Sequence, residues 1–255
     1  MGRIIEQYFD LGVMFDPGNV DKVLSGFFFT IKLSIVAGVL SLAWGLVLAV
    51  LRQTPGRWGV LVRWPTIAYI DVFRGVPALL TILLVQGSLG ALASVDPQTG
   101  EAGVLPRWLG IPDWLGQPSP FWYGVIAITL TYGAYMAEVY RAGIEAVPQG
   151  QTEAARSLGM SHGQAMRKVV VPQAVRKVIP PLLNDFIALM KDTTLVSVIG
   201  LIEVVQAGRD IQSETLNSSA LMLGAILFVL VTIPLARVVD VLISRQQARF
   251  QRGLA

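Results

Sequence analysis

Five long apolar segments constrain this chain more than any other feature of its sequence. They are Val23–Leu51, Gly59–Ala93, Phe121–Ala142, Pro181–Leu201 and Ser219–Ile243. A helix needs about 20 mostly apolar residues to cross a bilayer, and each segment reaches that length. Hydrophobic residues make up 53% of the chain and charged residues only 15%, whereas a soluble domain carries about 25% charged residues. The sequence therefore predicts an all-α membrane protein with about five transmembrane helices.

The second segment is too long for one straight span and contains a break. At a rise of about 1.5 Å per residue, Gly59–Ala93 is longer than a bilayer is thick, and Arg74-Gly75-Val76-Pro77 interrupts it. We interpret it as an amphipathic approach followed by a membrane helix that starts near Pro77. Together the two parts are expected to make one crossing.

The uneven distribution of arginine and lysine predicts the orientation, because cytoplasmic flanks are enriched in both. Five crossings place the termini on opposite sides of the membrane. The richer flanks hold Arg52, Arg57, Arg63, Arg141, Arg156, Arg167, Lys168, Arg176, Lys177, Arg245, Arg249 and Arg252, and the poorer ones Arg3, Lys22, Arg107 and Arg209. The C-terminus is therefore predicted in the cytoplasm and the N-terminus outside.

This orientation assigns the loops as well. Residues 94–120 are predicted as an external loop with Trp108 and Trp114 at the membrane interface, and residues 148–172 as a cytoplasmic loop. The basic tail Arg245–Arg252 is expected to anchor the cytoplasmic end at anionic lipid.

Several function classes are excluded by what the sequence lacks. Without cysteine it has no disulfide or thiolate metal site, and His162, the only histidine, has no second ligand nearby. Met1–Val20 does not have the pattern of a cleavable signal peptide. No glycine-rich loop ends in Lys-Ser/Thr, and a net charge of +3 is too small to indicate nucleic acid. We expect one domain, residues 1–255, with no catalytic residue, cofactor or metal.

The cytoplasmic loop has the pattern of a helix, a turn and a second helix. It contains Glu153-Ala154-Ala155-Arg156-Ser157-Leu158-Gly159 and ends at Val169-Val170-Val171-Pro172. Gln151-Thr152 is expected to cap the first helix, and Ser161 the second. Gly159 permits the backbone reversal between them, and Pro172 is expected to stop the second helix. A plain connecting loop is the alternative, but this spacing between two spans favours a docking element for a soluble partner.

Three further stretches accompany this loop in the same order along the chain. They are Phe73-Arg74-Gly75-Val76-Pro77, residues 133–144 (GAYMAEVYRAGI) and residues 180–200 (PPLLNDFIALMKDTTLVSVIG). With them the chain, from about Val23 to Ile243, resembles the polar amino acid permease family of ATP-binding cassette (ABC) importers. Val169 and Val171 stand where Ile and Leu are usual in that family, and the external loop is longer than the family needs.

The resemblance implies the type I ABC importer permease fold, in a bacterial inner membrane, with the cytoplasmic loop as a coupling helix. Its coupling residues would be Glu153, Ala154, Ala155, Arg156 and Gly159. It also implies three kinds of partner, namely ATPase subunits that bind ATP and Mg²⁺, a second permease subunit, and an external amino acid-binding protein. Chemistry would take place in the ATPase, so this chain is expected to be a transport subunit and not an enzyme.

Polar residues in the fourth segment are candidates for a substrate path, because charged groups at membrane depth need a partner or a wet cavity. Asp185 and Asp192 are seven residues apart and share a helix face. The path candidates are Asn184, Asp185, Asp192, Thr193 and Thr194. The resemblance places Asp185 at a substrate-contacting position, and an acid there favours a basic or neutral amino acid over glutamate.

Structural roles remain the alternative for several of these side chains. Lys191 would then pair with Asp185, and Arg74 with Asp192. We assign Arg74, Pro77 and Lys191 to structural or gating roles, with Arg74 holding the carbonyl groups freed at the helix break. A further acid, Glu138, is expected to form an ion pair with Arg141, three residues on.

Other transporter classes fit the sequence less well. A secondary transporter would need inverted repeats and coupling-ion sites, and no repeat is evident. A channel would need a selectivity-filter sequence. Within the permease class, the alternative is a relative that imports another small solute, such as methionine or an organic anion.

Overall fold

The computed structural model describes residues 7–54, 56–93, 114–117 and 119–252, and in these ranges the chain is helical without any strand. The all-α prediction is therefore confirmed. Most of the predicted external loop 94–120, including Trp108, lies outside the described residues. We number the α-helices α1 (Leu11–Met14), α2 (Pro17–Arg52), α3 (Gly56–Gly75), α4 (Ala78–Ala93), α5 (Ser119–Glu145), α6 (Gln149–Ser157), α7 (His162–Ala165), α8 (Val171–Asp192), α9 (Val204–Thr215) and α10 (Ser219–Arg252).

Two of the described helices are long and apolar enough to cross a membrane by themselves. They are α2 and the first part of α10, Ser219–Arg245. Helices α3 and α4 form a third candidate as a bent pair, with an angle of 113° at the predicted break. The third predicted span folds as α5, and the fourth as the second part of α8 followed by a 3-10 helix, Thr193–Ile199. Neither is among the described helices that are apolar enough to cross a membrane by themselves. Five crossings therefore remain a prediction.

Helix α5 lies at the centre of the bundle and packs against α2, α4 and α8. Leu33 of α2, Ile128 of α5 and Leu189 of α8 are fully buried in one apolar core. Helices α2 and α5 approach closely, since a Cβ atom added to Gly45 would lie 2.9 Å from the carbonyl oxygen of Gly133. Small residues at a helix crossing allow the two backbones to pack directly against each other. This close contact holds α2 against α5.

The second helix of the cytoplasmic loop does not stop at Pro172, so that prediction is wrong. The chain continues from α7 through a π turn, Met166–Val170, into α8. The N–H of Val171 donates to the carbonyl oxygen of Met166, five residues earlier. This wider turn accommodates the proline ring, and the missing N–H of Pro172 costs little in the first turn of α8. The loop and the fourth predicted span thus form one continuous helical rod.

Helix α9, which was not predicted, packs between the starts of α2 and α10. Val23, Ile211 and Ala220 are buried in the contact. The carboxylate of Glu203 caps α9 by accepting hydrogen bonds from the N–H groups of Val205 and Gln206, each at 2.8 Å. At 12 residues, α9 is too short to cross a membrane, so a criterion of span length misses it.

Candidate functional site: a cytoplasmic elbow and a cavity in the bundle

Residues 148–172 form the predicted helix–turn–helix, which we call the elbow. Helix α6 ends in a Schellman turn, in which Gly159 adopts a φ of +82°. The N–H of Met160 donates to the carbonyl oxygen of Ala155 at 3.2 Å, and the N–H of Gly159 to that of Arg156 at 3.0 Å. Such a turn satisfies the last carbonyl groups of a helix and favours glycine at the left-handed position. The role predicted for Gly159 is confirmed.

The two helices of the elbow begin differently. Ser161 and Gln164 form a reciprocal capping box at the start of α7, with hydrogen bonds of 3.3 and 2.9 Å, as predicted for Ser161. The cap predicted at Gln151-Thr152 is wrong. Helix α6 already begins at Gln149, with Pro148 as the residue before it and no side-chain cap, because the fixed φ of proline suits a helix start.

The elbow presents its predicted coupling residues in two directions. Glu153, Ala154 and Arg156 are exposed, whereas Ala155 faces the protein and is 4% exposed. Among the described residues, neither Glu153 nor Arg156 has an ion-pair partner. Leu158, which the sequence reasoning missed, is 80% exposed. Its position directly before Gly159, the glycine of the turn, could have predicted this exposure from the sequence. The elbow thus offers a partner two charges and one apolar side chain.

The inner side of the elbow is fastened to the bundle. Val147, Val170 and Ala174 are buried together where the end of α5, the π turn and the start of α8 meet. The ammonium group of Lys177 donates a hydrogen bond to the carbonyl oxygen of Ala146. A cation at this position also complements the negative end of α5. A force on the elbow therefore reaches α5 and α8 directly.

Asp185 and Asp192 line one cavity of about 380 Å³, together with Arg74 and Pro77 of the helix break and Tyr132 of α5. The spacing of seven residues places both carboxylates on one face of α8, as predicted. The hydroxyl of Tyr132 donates to Oδ2 of Asp192 at 2.9 Å. The volume lies within the range of about 300–1,000 Å³ that is usual for small-ligand pockets.

The cavity contains hydrogen-bonding capacity that the protein leaves unused. Among the residues that the structure describes, buried Oδ2 of Asp185 and the buried hydroxyl of Thr131 have no hydrogen-bond partner. Buried polar atoms are nearly always paired, so each exception calls for an explanation. Two carboxylates from α8 and a hydroxyl from α5 in one cavity are suited to a ligand that carries an ammonium group.

Arg74 lies at the helix break and contacts α5. The hydroxyl of Tyr135 donates to the carbonyl oxygen of Arg74 at 3.2 Å, and the Arg74 guanidinium lies 5.9 Å from the centre of the Tyr135 ring. A carbonyl group at the break is thereby satisfied, as a broken helix in a membrane requires. The donor is Tyr135 and not the Arg74 side chain, so the clamping role of that side chain stays a prediction.

The ion pairs considered as an alternative are not formed among the described residues. Neither Lys191 with Asp185 nor Arg74 with Asp192 lies within ion-pair distance. Positions 185 and 191 are six residues apart, which places them about 120° apart around α8. The two carboxylates therefore remain available to the cavity.

The other predicted path residues lie elsewhere. Thr193 is fully buried, donates to the carbonyl oxygen of Met190 at 2.7 Å and lies 3.0 Å from the hydroxyl of Ser34. Lys191 and Thr194 line a different groove, beside α9 and α10. Asn184 is exposed and is not part of the cavity lining. The structure thus brings together only Asp185 and Asp192 of the five path candidates.

Glu138 of α5 is the centre of an ion-pair cluster. Its carboxylate accepts from Arg141 at 2.7 and 2.8 Å, which confirms the predicted pair. Arg52, at the end of α2, donates to the other oxygen, and Nη1 of Arg74 lies 4.0 Å from it. Arg141 also pairs with Glu145 at 2.6 Å. One carboxylate therefore links α2, α5 and the helix break.

We expect Glu138→Gln to destabilise the bundle by about 2–3 kcal/mol, somewhat less than the loss of one partner of a fully buried pair. The substitution keeps the shape but leaves the guanidinium group of Arg52, 22% exposed, without its carboxylate partner, and leaves Arg141 with only the surface carboxylate of Glu145. Thermal unfolding in detergent should show a fall of about 5–10 °C.

Glu145→Gln is the matched control, because its pair with Arg141 lies on the surface, with the Glu145 side chain 62% exposed. Such pairs contribute only tenths of a kcal/mol. Equal melting temperatures for the two variants would contradict the central role of Glu138.

Comparison with known proteins agrees with this geometry. Residues 41–251 match the family model described as the binding-protein-dependent transport system inner membrane component. The arginine transport system permease protein ArtQ of Bacillus subtilis (strain 168) is 32% identical over 218 residues, which cover 84% of this chain and 88% of ArtQ. The probable glutamine ABC transporter permease protein GlnM of the same organism is 30% identical over 242 residues, 94% of this chain and 100% of GlnM.

A solved structure shows the same fold. The crystal structure of an amino acid ABC transporter with histidines superposes with a TM-score of 0.73 and 32% identity, over 89% of this chain and 94% of that one. The resemblance predicted from the sequence is confirmed, and a secondary transporter is excluded. The chain therefore belongs to the ABC importer permeases, the inner membrane components of binding-protein-dependent transport systems, which are transport subunits and not enzymes.

Proposed function

We propose that this chain is the transmembrane permease subunit of an ATP-driven amino acid importer. The observation that supports this most is that α8 carries both functional parts. The elbow continues through the π turn into α8, and Asp185 and Asp192 lie farther along the same helix. About 14 residues, among them Pro180 and Pro181, separate Val171 from Asp185, or roughly 21 Å of continuous helix. Movement of the elbow is thereby transmitted to one wall of the cavity.

The elbow takes the role of the coupling helix. Glu153, Arg156 and the exposed Leu158 contact a separate ATPase subunit, which binds ATP and Mg²⁺. Closure of two ATPase subunits moves the elbow, and the cavity alternates between access from outside and from the cytoplasm. The Glu138 cluster holds α2 and the helix break to α5, so that these helices move as one body.

The proposed topology has five crossings, with the N-terminus outside and the elbow and C-terminus in the cytoplasm of a bacterial cell. The bent pair α3–α4 contributes one crossing, and its break lies at the cavity. The membrane is the inner membrane. A second permease subunit, identical or related, completes the path, and an external binding protein delivers the solute.

The substrate that suits the cavity is a basic or neutral amino acid. Asp185 and Asp192, both in the lining of the cavity, attract an ammonium or guanidinium group. Relatives named for arginine and glutamine transport agree with this charge pattern, whereas a relative named for glutamate/aspartate import, 30% identical over 218 residues, does not. Organic anions are disfavoured by two carboxylates in one small cavity, which argues against that alternative.

Reconstitution tests the proposal. The permease is purified with its ATPase and inserted into liposomes that contain ATP and Mg²⁺, and the binding protein is added outside. We expect uptake of labelled arginine or glutamine that requires ATP and persists when ionophores remove ion gradients. Uptake driven by an ion gradient without ATP, or no uptake of any amino acid, would disprove the assignment.

A further inference from the structure

The turn between α9 and α10 presents a leucine in an unusual backbone conformation. Leu216 has φ +55° and ψ +26° and is 84% exposed. Glycine or asparagine normally takes this left-handed position at a helix end, because a Cβ atom is strained there. An apolar side chain that gains nothing from burial and strains the backbone has no structural reason to be at this position.

The backbone of the turn that carries Leu216 is held firmly. The Leu216 N–H donates to the carbonyl oxygen of Gln212 at 2.8 Å, and the Gln212 side chain donates to the hydroxyl of Ser218 at 2.8 Å. The N–H of Ser218 donates to the carbonyl oxygen of Gln7 at 2.8 Å. A backbone that is already ordered lowers the entropic cost of binding a partner.

Leu216 lies at the opposite end of the bundle from the elbow. Helices α9 and α10 form an antiparallel hairpin, and Glu214, next to its tip, pairs with Lys22 of α2 at 3.0 Å. At the far end of α2, Arg52 bonds to the Glu138 cluster near the elbow. Lys22 and Arg52 are 30 residues apart, roughly 45 Å of helix, which exceeds the hydrocarbon thickness of about 30 Å. The tip therefore lies across the membrane from the elbow.

The charge around the tip selects the kind of partner. The described side chains in the first turns of α2, before α1 and along α9 are mostly acidic, namely Asp10, Asp16, Asp21, Asp210 and Glu214 against Lys22 and Arg209. An anionic lipid surface would be repelled by this face, and a second copy of it would bring like charges together. A soluble protein with a basic surface is the complementary partner.

We propose that Leu216 is the docking anchor for the external solute receptor, which covers it with an apolar pocket ringed by lysine and arginine. This inference rests on the proposed function, which supplies such a receptor. A few side chains that fill desolvated pockets near the centre of an interface supply most of its binding energy. The acidic residues around the tip raise the association rate of the receptor, and Leu216 lowers its dissociation rate.

The test uses the complete transporter in lipid nanodiscs and its labelled receptor, defined as the external protein whose addition raises ATP hydrolysis by the wild type. We expect Leu216→Gly and Leu216→Asn to weaken receptor binding at least tenfold, while basal ATP hydrolysis is unchanged. Both residues tolerate a positive φ, so the melting temperature should not fall. Leu11→Ala, which shortens another exposed side chain at the same end (65% exposed), should bind like the wild type.

Three results would overturn the inference. Receptor affinities within twofold of wild type for both Leu216 variants would remove its basis. A photo-crosslinker at position 216 that labels lipid or the second permease, but not the receptor, would assign the tip to another occupant. A wild-type transporter that no receptor stimulates would disprove the proposed function as well, whereas the first two results leave that function intact.

Discussion

Gly159→Val should lower ATP-driven uptake about tenfold while the permease still inserts into the membrane. Gly159 has a φ of +82°, and valine in a left-handed conformation costs roughly 1–2 kcal/mol. Because about 1.4 kcal/mol changes an equilibrium tenfold, the ratio of molecules with the Schellman turn, and hence with the fixed angle between α6 and α7, to molecules without it would fall about tenfold. Uptake into liposomes and receptor-stimulated ATP hydrolysis should fall together.

Gly163→Ala is the matched control for this variant. Gly163 lies in α7 of the same elbow, its φ is not positive, and a Cβ atom there would meet nothing within 4 Å. Alanine raises helix propensity at that position, so uptake should equal or exceed that of the wild type. Normal receptor-stimulated ATP hydrolysis in Gly159→Val would show that the turn does not couple the two proteins.

Asp185→Asn should reduce uptake of a basic amino acid by at least tenfold and leave the complex with the ATPase assembled. The substitution keeps the shape of the side chain and removes the charge of a buried carboxylate whose Oδ2 has no partner in the protein. A charge-assisted hydrogen bond contributes about 1.5–3 kcal/mol, which corresponds to a factor of about 10–150. Initial uptake rates of labelled arginine measure this reduction.

Asn184→Ala serves as the neighbouring control, because Asn184 lies outside the cavity lining and is exposed. Its uptake should stay within about twofold of the wild type. Equal uptake by Asp185→Asn and wild type would remove Asp185 from the path, and a loss confined to Asn184→Ala would place the path on another face of α8.

Features governed by neighbours in sequence were the most predictable. The break before Pro77, the glycine turn at Gly159, the cap at Ser161 and the pair of Glu138 with Arg141 all depend on residues within about five positions of one another. Capping, turn and helix-spacing rules apply at that range without knowledge of the fold.

Features that depend on packing were less predictable. Five polar residues at the end of α8 and directly after it resembled one path. The structure separates them, because the positions of α4, α5, α9 and α10 decide which of residues 184, 185, 192, 193 and 194 meet. Arg52 is far from Glu138 in sequence, so rules that apply to neighbouring residues could not predict its ion pair with Glu138. Helix α9 was not predicted because its stability depends on apolar contacts with α2 and α10.

The π turn at Met166–Val170 amounts to one additional residue inserted into an otherwise regular helix. Each residue turns an α-helix by about 100°, and the wider π turn absorbs the additional residue, so that the helix before and after it keeps the same phase. Removing one residue from this turn should therefore restore a regular helix and leave the elbow's direction unchanged, whereas removing one residue between Val171 and Asp185 would rotate the elbow by about 100° relative to the two carboxylates. The five residues of the π turn thus preserve the angular alignment of the elbow with the cavity.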